Sequence, residues 1–544
     1  MVRTKALTWW RNAVLGVFVA ALLGGIFLPI YTDEIGWRLQ ERAGFEGVDK
    51  LFVELCGPNT LARPPFWMMP ARYYSALFNG LFADPFYVRV SGILYALVWT
   101  AMLLALVRRA AETQRDRIAL STLAIGFLSL GTMPLLLVMS RPEQPIVLAF
   151  TGAVLLTSAA WKPDGAHTSA ATAWWRSLAI LLLALVAMSY HVKAVVTVPL
   201  FLVCLACAAR GRGALVPRLV AGAALVAAGV WAAHYWVDRF ACPDDPVIRA
   251  GFLRNTAAQA VSITDSSQIV PVFRKALGNV NVFLFPGLPA PRTEPTSAWL
   301  PYDRIGAAHS FAWFLAMVAV WVAALIAALY CLVLAGQRAW RERQVDRRAA
   351  LSAALFATVL GWSAAGFVSF YEASFALPMM VLGLVLALST WRGSERFAGG
   401  IRLAAAGLGL AGVISVALVA TMYGPPLVAA SHERGYVKAQ RLSVSVFGYP
   451  EVRREALAAA RKCGIADPAA ADRLIIDDTT YFAFMRSHLP DHLYGHPILS
   501  ARDPQSYLRS VRSGGLVASC RALSAGLRDR ATRVGQICCL ALSN

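Results

Sequence analysis

The sequence predicts a polytopic α-helical membrane protein of about eleven transmembrane helices with a small C-terminal α/β domain on its outer face. Three observations predict it. Hydrophobic residues make up 58% of the chain and charged residues only 15%, where a soluble protein carries about a quarter charged residues. The apolar residues come in blocks of roughly 17–25, the length that crosses a hydrocarbon core about 30 Å thick. Beyond about residue 424 the composition shifts to an amphipathic helical pattern (EVRREALAAARKCG), a short apolar strand (DRLIIDD), a second helix (TTYFAFMRSHL) and strands around GLVASC and QICCLAL. That order is the pattern of a small α/β unit.

Taken along the chain, the apolar blocks fall at about 12–31, 87–107, 118–139, 145–161, 177–190, 194–209, 214–236, 309–335, 350–370, 373–391 and 402–423. Arg3, Lys5 and Arg11 precede the first. Arg108, Arg109, Arg115 and Arg117 separate the second and third, Arg210, Arg212 and Arg218 the sixth and seventh, and Arg338, Arg341, Arg343, Arg347 and Arg348 the eighth and ninth. The alternate short links carry one base or none. Basic links collect on the cytoplasmic side, so the formal charge of +20 is topology information and does not indicate nucleic acid as a partner. The expected placement is the plasma membrane (the inner membrane of a bacterium), with the amino terminus cytoplasmic and the C-terminal domain periplasmic or extracellular. The first block lacks a small-residue cleavage site and reads as a retained helix.

This division gives a transmembrane domain of residues 1–423, with outer loops at 32–86 and 238–308, and a soluble outer domain of residues 424–544. Cys56, Cys242, Cys463, Cys520, Cys538 and Cys539 fall in the outer segments, where an oxidising compartment permits disulfides. In the tail, Cys463–Cys520, or Cys520 with Cys538 or Cys539, are the candidate pairs. Cys204, Cys207 and Cys331 sit inside apolar blocks and read as small apolar filler.

The candidate site starts with Asp33 and Glu34, adjacent acids directly after the first block. One reading is helix capping by Asp33 ahead of IGWRLQERA. The other is functional. An acid past the C-terminal end of a span faces the negative pole of that helix, and ionisable groups at the edge of a membrane bundle are costly to place. The same outer ends carry Arg141 and Glu143 in SRPEQ, His191 and Lys193 in SYHVK, His234, Asp238 and Arg239 in HYWVDR, and the pair Tyr371–Glu372. Singly these read as interfacial turns. Together they would surround one cavity in which Lys or Arg holds a phosphate while a carboxylate takes a proton.

A span, then Asp-Glu, then the proline-rich stretch RPPFWMMPARYYSALFNGLFADPFYVRVSGILYAL (63–97) resembles the start of the GT-C membrane glycosyltransferases, the superfamily of lipid A aminoarabinose transferases and protein O-mannosyltransferases. Phe82, Arg89, Gly92 and Leu94 fit the pattern there, an amphipathic loop stretch ending Leu-Phe and then Arg, small, Gly, Leu opening the second span. SRPEQPIVLAF resembles the Arg-Pro-Glu link of many relatives, SYHVKAVVTVPLFLV the Lys-containing link, and YEASFALPMMVLGLVLAL a late Tyr…Leu-Pro span. The resemblance covers roughly 12–210, and 309–423 more loosely.

The resemblance implies an enzyme that moves a sugar from a polyprenyl-phosphate donor to a glycan, lipid or protein acceptor on the outer face, within membrane lipid. By position, Asp33 is then the catalytic base or orients the acceptor hydroxyl, and Glu34 is its neighbour. No cofactor is indicated beyond a divalent cation, in those members that use one, with Asp33 and Glu34 as its contacts. Glu143 is a second acid, and Lys193, Arg141 and Arg63 hold the lipid phosphate. Tyr371–Glu372 stands where many relatives have a base.

Two other functions compete. An O-antigen ligase or polymerase would rely on bases of the 238–308 loop such as Arg249, Arg254 or Arg274. A non-catalytic transporter or scaffold would more often show an internal repeat and polar residues within spans, and the sequence shows neither. There is no GxxxxGK[ST] phosphate loop, which argues against a nucleotide-driven pump. Asp477 and Asp478 read as a cap for the following helix. His488, His492 and His496 are interrupted by Pro490 and Gly495 and are set aside as a metal site. The Trp pairs at 9–10 and 174–175 are interfacial aromatics.

Overall fold

The computed structural model describes residues 2–45, 64–81, 84–159, 161, 168–240, 307–364, 373–391, 395–433, 442–465, 474–485, 490–493, 497–510 and 513–541. Arg63, Tyr371, Glu372, Cys56, Cys242, His488, His496 and nearly all of the 238–308 loop lie outside the described residues.

Over its described residues each apolar block is mainly helix, except that the first ends in a 3-10 turn (Gly25–Phe27) and a short strand at Ile30–Tyr31. In chain order these are α1 (Val2–Gly24), the loop helices α2 (Thr32–Phe45) and α3 (Met69–Leu81), α4 (Pro85–Ala110), α5 (Gln114–Leu128) with its short continuation α6 (Met133–Leu137), α7 (Glu143–Ser158), α8 (Ala170–Tyr190), α9 (Val198–Cys207), α10 (Leu215–Phe240), α11 (Ala307–Glu342), α12 (Arg347–Ala364), α13 (Ala373–Ser389) and α14 (Glu395–Ser431). Six helices among the described residues, those spanning Lys5–Phe27, Pro85–Ala110, Ala170–Tyr190, Leu215–Trp236, Leu315–Glu342 and Phe397–Ser431, are long and apolar enough to cross a membrane. They make the chain an integral membrane protein. Glu143–Ser158, Val192–Cys207 and Ala373–Ser389 are shorter.

Three further blocks differ in form from a plain span. The 118–139 block is broken between α5 and α6, where Gly131 adopts φ 57°. Its amide donates to Ser415 Oγ at 2.8 Å, so α14 stabilises the break. The 194–209 block enters through a 3-10 turn, Val192–Thr197, before α9. α14 runs through Pro425 and Pro426 to Ser431, past the end read from the sequence. Every residue of α13 is buried, as expected of a helix that is apolar all round and lies inside a bundle.

The basic links meet at one end of the bundle and close helix carbonyls. Arg109 donates to Leu155 O and Ser158 Oγ, Arg347 to Cys207 O and Ala209 O, Arg348 to Ala110 O, and Arg338 to Thr390 O. Cations there satisfy carbonyls left over at helix C-termini and oppose the negative pole of the dipole. The acid-bearing links lie at the other end, with the candidate site.

The tail is an α/β unit. Its sheet runs in the order β4 (Pro490–His492), β3 (Leu474–Ile476), β5 (Gly515–Ser519), β7 (Ile537–Ala541) and β6 (Thr532–Val534). β3 is parallel to β4 and β5, whereas β7 is antiparallel to β5 and β6. Helix α15 (Tyr449–Lys462) packs on β6 and β7. Successive strand residues point to opposite faces, so Ile476, Val517 and Cys539 join one core while Ile475, Leu516 and Cys538 join another.

That alternation decides the cysteine pairing. Cys539 bonds Cys463 at the end of α15, and Cys538 bonds Cys520 on the opposite face. Cys520–Cys538 was one of the candidates. Cys463–Cys520 is corrected to Cys463–Cys539, because neighbouring strand cysteines cannot reach the same face.

The α/β unit is joined to the bundle beside the acidic pair. β2 (Leu442–Val444) pairs antiparallel with β1 (Ile30–Tyr31), which ends two residues before Asp33. Ile30, Ile35 and Val88 share a hydrophobic core with Val444, Tyr449 and Tyr481. The segment that carries Asp33 is therefore held from both sides.

Candidate active site

α2 begins at Thr32, so Asp33 and Glu34 occupy its first turn. There the positive pole of a new helix favours carboxylates. The capping reading for Asp33 and the argument from the negative pole of α1 both give way to this placement.

The two acids then diverge. Glu34 is fully buried. Its Oε1 accepts from Arg89 Nη1 at 2.7 Å and from the Ser140 amide at 2.6 Å; its Oε2 accepts from Arg89 Nη2 at 2.6 Å and from the Tyr31 amide at 2.9 Å. Arg89 continues to Leu28 O and Pro29 O. This bidentate fork ties the end of α1, the start of α2, helix α4 and the 138–143 link into one unit. Every acceptor position of Glu34 is filled, so in this geometry it positions the site and offers nothing to substrate.

The pair also fails the test for a metal. The Glu34 carboxylate is taken up by Arg89 and two amides, and Asp33 lies 3.5 Å from Arg141, so this geometry does not present the two carboxylates together to a metal ion. Among the described residues no group of three His, Cys, Asp or Glu converges.

The Arg89 motif now has physical content. Arg89 holds Glu34. Ser91 Oγ lies 3.1 Å from Ser140 Oγ. Gly92 lets the chain at Val138 press against α4, since a Cβ there would sit 1.9 Å from the Val138 carbonyl oxygen. Leu94 is exposed on the helix surface.

Asp33 is different. Its side chain is 42% exposed, and its Oδ2 lies 3.5 Å from Arg141 Nη1. Arg141 makes two 3.1 Å bonds to the buried Glu143 carboxylate, which also accepts from the Lys193 ammonium. Asp33, Arg141, Glu143 and Lys193 thus form one chain of alternating charge drawn from three separate links. Tyr31 lies under the Arg141 guanidinium with its ring centroid 5.7 Å away, and Trp362 flanks Lys193 at the same distance. Trp37 stacks on Tyr190 at 6.1 Å. His191 caps the 3-10 turn by accepting from the Lys193 amide at 3.2 Å, and its ring sits 6.1 Å from Trp236.

Of the residues expected at the site, Asp33, Glu34, Arg141, Glu143, His191 and Lys193 are brought together; Arg63, Tyr371 and Glu372 lie outside the described residues. His234 and Asp238 are exposed near the end of α10. Sequence reasoning missed Arg38. It lies one turn beyond Glu34 and is 1% exposed, with Nη2 donating to Ser140 Oγ at 3.1 Å. Its signal was the i, i+4 spacing from Glu34, which places both on one face of α2.

In the α/β unit Asp477 is the N-cap of α16 (Asp478–Phe484), in a capping box with Thr480, and it also accepts from the Ser519 amide at 3.0 Å. Burial and the neighbouring Asp478 push its carboxyl up to about 6, against those hydrogen bonds. The capping role read from the sequence is the one observed.

No protein-family model and no curated protein matches the chain. Among solved structures it is similar to ArnT from Cupriavidus metallidurans bound to undecaprenyl phosphate, at 12% identity and a TM-score of 0.43, covering 99% of this chain and 98% of that one. A second is the Archaeoglobus fulgidus oligosaccharyltransferase tethered with an acceptor peptide, at 11% identity and a TM-score of 0.43, covering 93% of this chain and 69% of that one. A third is the arabinosyltransferase EmbB of Mycobacterium smegmatis, at 14% identity and a TM-score of 0.29, covering 79% and 42%. None of these likenesses is close enough to carry a function, and the reading below rests on the side chains just described.

Proposed function

We propose that this protein is a GT-C-type membrane glycosyltransferase that moves a sugar from a polyprenyl-phosphate donor to a hydroxyl of a glycan, lipid or protein acceptor, on the outward face of the plasma membrane. One observation carries the reading. A partly exposed carboxylate, Asp33, stands 3.5 Å from Arg141 in a buried chain of charge that reaches Lys193.

The chemistry follows from these groups. The acceptor oxygen attacks the anomeric carbon, the bond from that carbon to the phosphate oxygen breaks, and the phosphate departs with the electron pair. Asp33 takes the hydroxyl proton as the new bond forms. Arg141 and Lys193 stand ready for the charge that develops on the leaving phosphate. Glu143 keeps both cations in place before substrate arrives, so little reorganisation is needed during reaction. A single displacement of this kind inverts the anomeric centre.

The test is lipid-linked sugar profiling in a deletion strain carrying either the native protein or Asp33→Asn. Expected is accumulation of the polyprenyl-phosphate sugar with Asp33→Asn, as in the deletion, with the variant present in the membrane at native levels. Full clearance of that lipid by Asp33→Asn overturns the assignment.

A further inference from the structure

The Trp pair at 9–10 reads from the sequence as two interfacial aromatics, and the structure separates them. Trp9 is 76% exposed, whereas Trp10 packs partly buried against the bundle core, with its indole Nε1 buried and without a hydrogen-bond partner. The indole lies against α14 where that helix carries Gly409. A Cβ there would come 3.1 Å from Trp10 Nε1 and 2.8 Å from the Thr122 methyl of α5. A buried indole N–H ordinarily finds an acceptor, so a missing one asks for an explanation.

Trp10 borders a hollow of about 250 Å³, open on one side, whose polar lining residues are Trp10 of α1, Arg115 and Thr122 of α5, and Arg402 of α14. It lies at the end of the bundle where the basic links meet, opposite the candidate site. Arg402 reaches Asp116 and Glu395 through its Nη atoms at 3.3 and 3.4 Å, yet its Nε is a second buried donor without a partner. Those two acids hold the guanidinium loosely: Asp116 also accepts from the Thr113 hydroxyl at 2.6 Å, and Glu395 is 87% exposed, where an ion pair contributes little. Arg115 is exposed and makes no ion pair or hydrogen bond among the described residues. Two buried donors without acceptors and an open guanidinium border one hollow, and a group with several acceptor oxygens and negative charge answers all three.

Size and position say which anion. The hollow is smaller than the ~300–1,000 Å³ that encloses a small molecule, so it takes a phosphate with the rest of its carrier outside. Next to Arg402, Leu403 is exposed, and Leu410 and Ile414 follow it at i+7 and i+11 along α14, exposed as well. That stripe is a lipid-facing surface beginning at the mouth of the hollow. Basic hollows between spans, at the end where basic links collect, suit anionic lipid head groups.

We propose that this hollow holds the phosphate of an anionic phospholipid, with Arg115, Arg402 Nε and Trp10 Nε1 donating to its oxygens and an acyl chain along the Leu403–Ile414 stripe. The lipid thereby staples α1 to α5 and α14. A zwitterionic head group carries its own ammonium beside the phosphate, which Arg115 and Arg402 repel. The site is independent of the transferase reading and stands or falls without it.

The test is thermal unfolding of the full-length protein in phosphatidylcholine nanodiscs, with phosphatidylglycerol introduced at rising mole fraction. Inorganic phosphate added to pure phosphatidylcholine discs is the free-ion arm. The native midpoint is expected to rise and saturate with phosphatidylglycerol and to stay unchanged with inorganic phosphate. Arg115→Gln alters an exposed side chain and is expected to need ~10-fold more phosphatidylglycerol for the same rise. Trp10→Phe changes no charge and is expected to weaken the response ~3–10-fold. Arg341→Gln removes the same charge from an exposed position in the last turn of α11, outside the hollow, and is expected to respond as the native protein does.

A native response in either Arg115→Gln or Trp10→Phe overturns the proposal. So does an equal loss in Arg341→Gln, which would reduce the effect to general surface charge. An equal rise with inorganic phosphate overturns the lipid as the ligand, and a midpoint that does not distinguish the two lipids overturns the site.

Discussion

Glu34→Gln separates a positioning role from a catalytic one at the residue beside the proposed base. The substitution keeps shape and removes charge. Glu34 accepts four hydrogen bonds, two from Arg89 and one each from the Tyr31 and Ser140 amides. An amide nitrogen in place of either oxygen turns two of those four into donor–donor contacts, and each buried donor left unmet costs about 1–3 kcal/mol. The sum, roughly 2–6 kcal/mol, agrees with the ~3–5 kcal/mol expected when one partner of a buried ion pair is removed. The assay is thermal unfolding of the purified protein in detergent, followed by intrinsic fluorescence, next to transfer activity at a temperature where the variant is folded. A large fall in midpoint is expected, with transfer partly retained. A native midpoint with transfer abolished would falsify the reasoning and return Glu34 to the chemistry.

Two further outcomes follow from the packing. Gly92→Ala places a methyl where a Cβ would sit 1.9 Å from Val138 O. It should push the 138–143 link off α4 and lower both the unfolding midpoint and kcat, measured together; a neutral result would mean that the link is not held by α4. In the α/β unit, Cys463–Cys539 closes a sequence separation of 76 and Cys520–Cys538 one of 18. By chain entropy the first stabilises by ~4–5 kcal/mol and the second by ~3 kcal/mol. Paired Ser substitutions compared by limited proteolysis of the tail should show greater sensitivity for the 463/539 pair, and the reverse order would contradict that account.

The membrane character, the positions of the apolar helices and the order of helix and strand in the tail could all be read from the sequence. Block length, charge depletion and the change from helical to strand period are local properties of the chain. So was the meeting of Asp33, Arg141, Glu143 and Lys193, because each stands at a link and alternate links of a helical bundle meet at one end. The roles of the two acids were not legible. Asp33 and Glu34 are neighbours in sequence with the same chemistry, yet only folding brings Arg89 from α4 and the Ser140 amide from another link to fill Glu34 and leave Asp33 half open. The burial of Arg38 against Ser140, the strand that joins the tail to residues 30–31, and the choice between Cys538 and Cys539 depend likewise on which faces meet. Sequence pattern fixes which groups reach an end or a face. Which of them are then satisfied is a matter of long-range hydrogen-bond partners, and those exist only once the helices have packed.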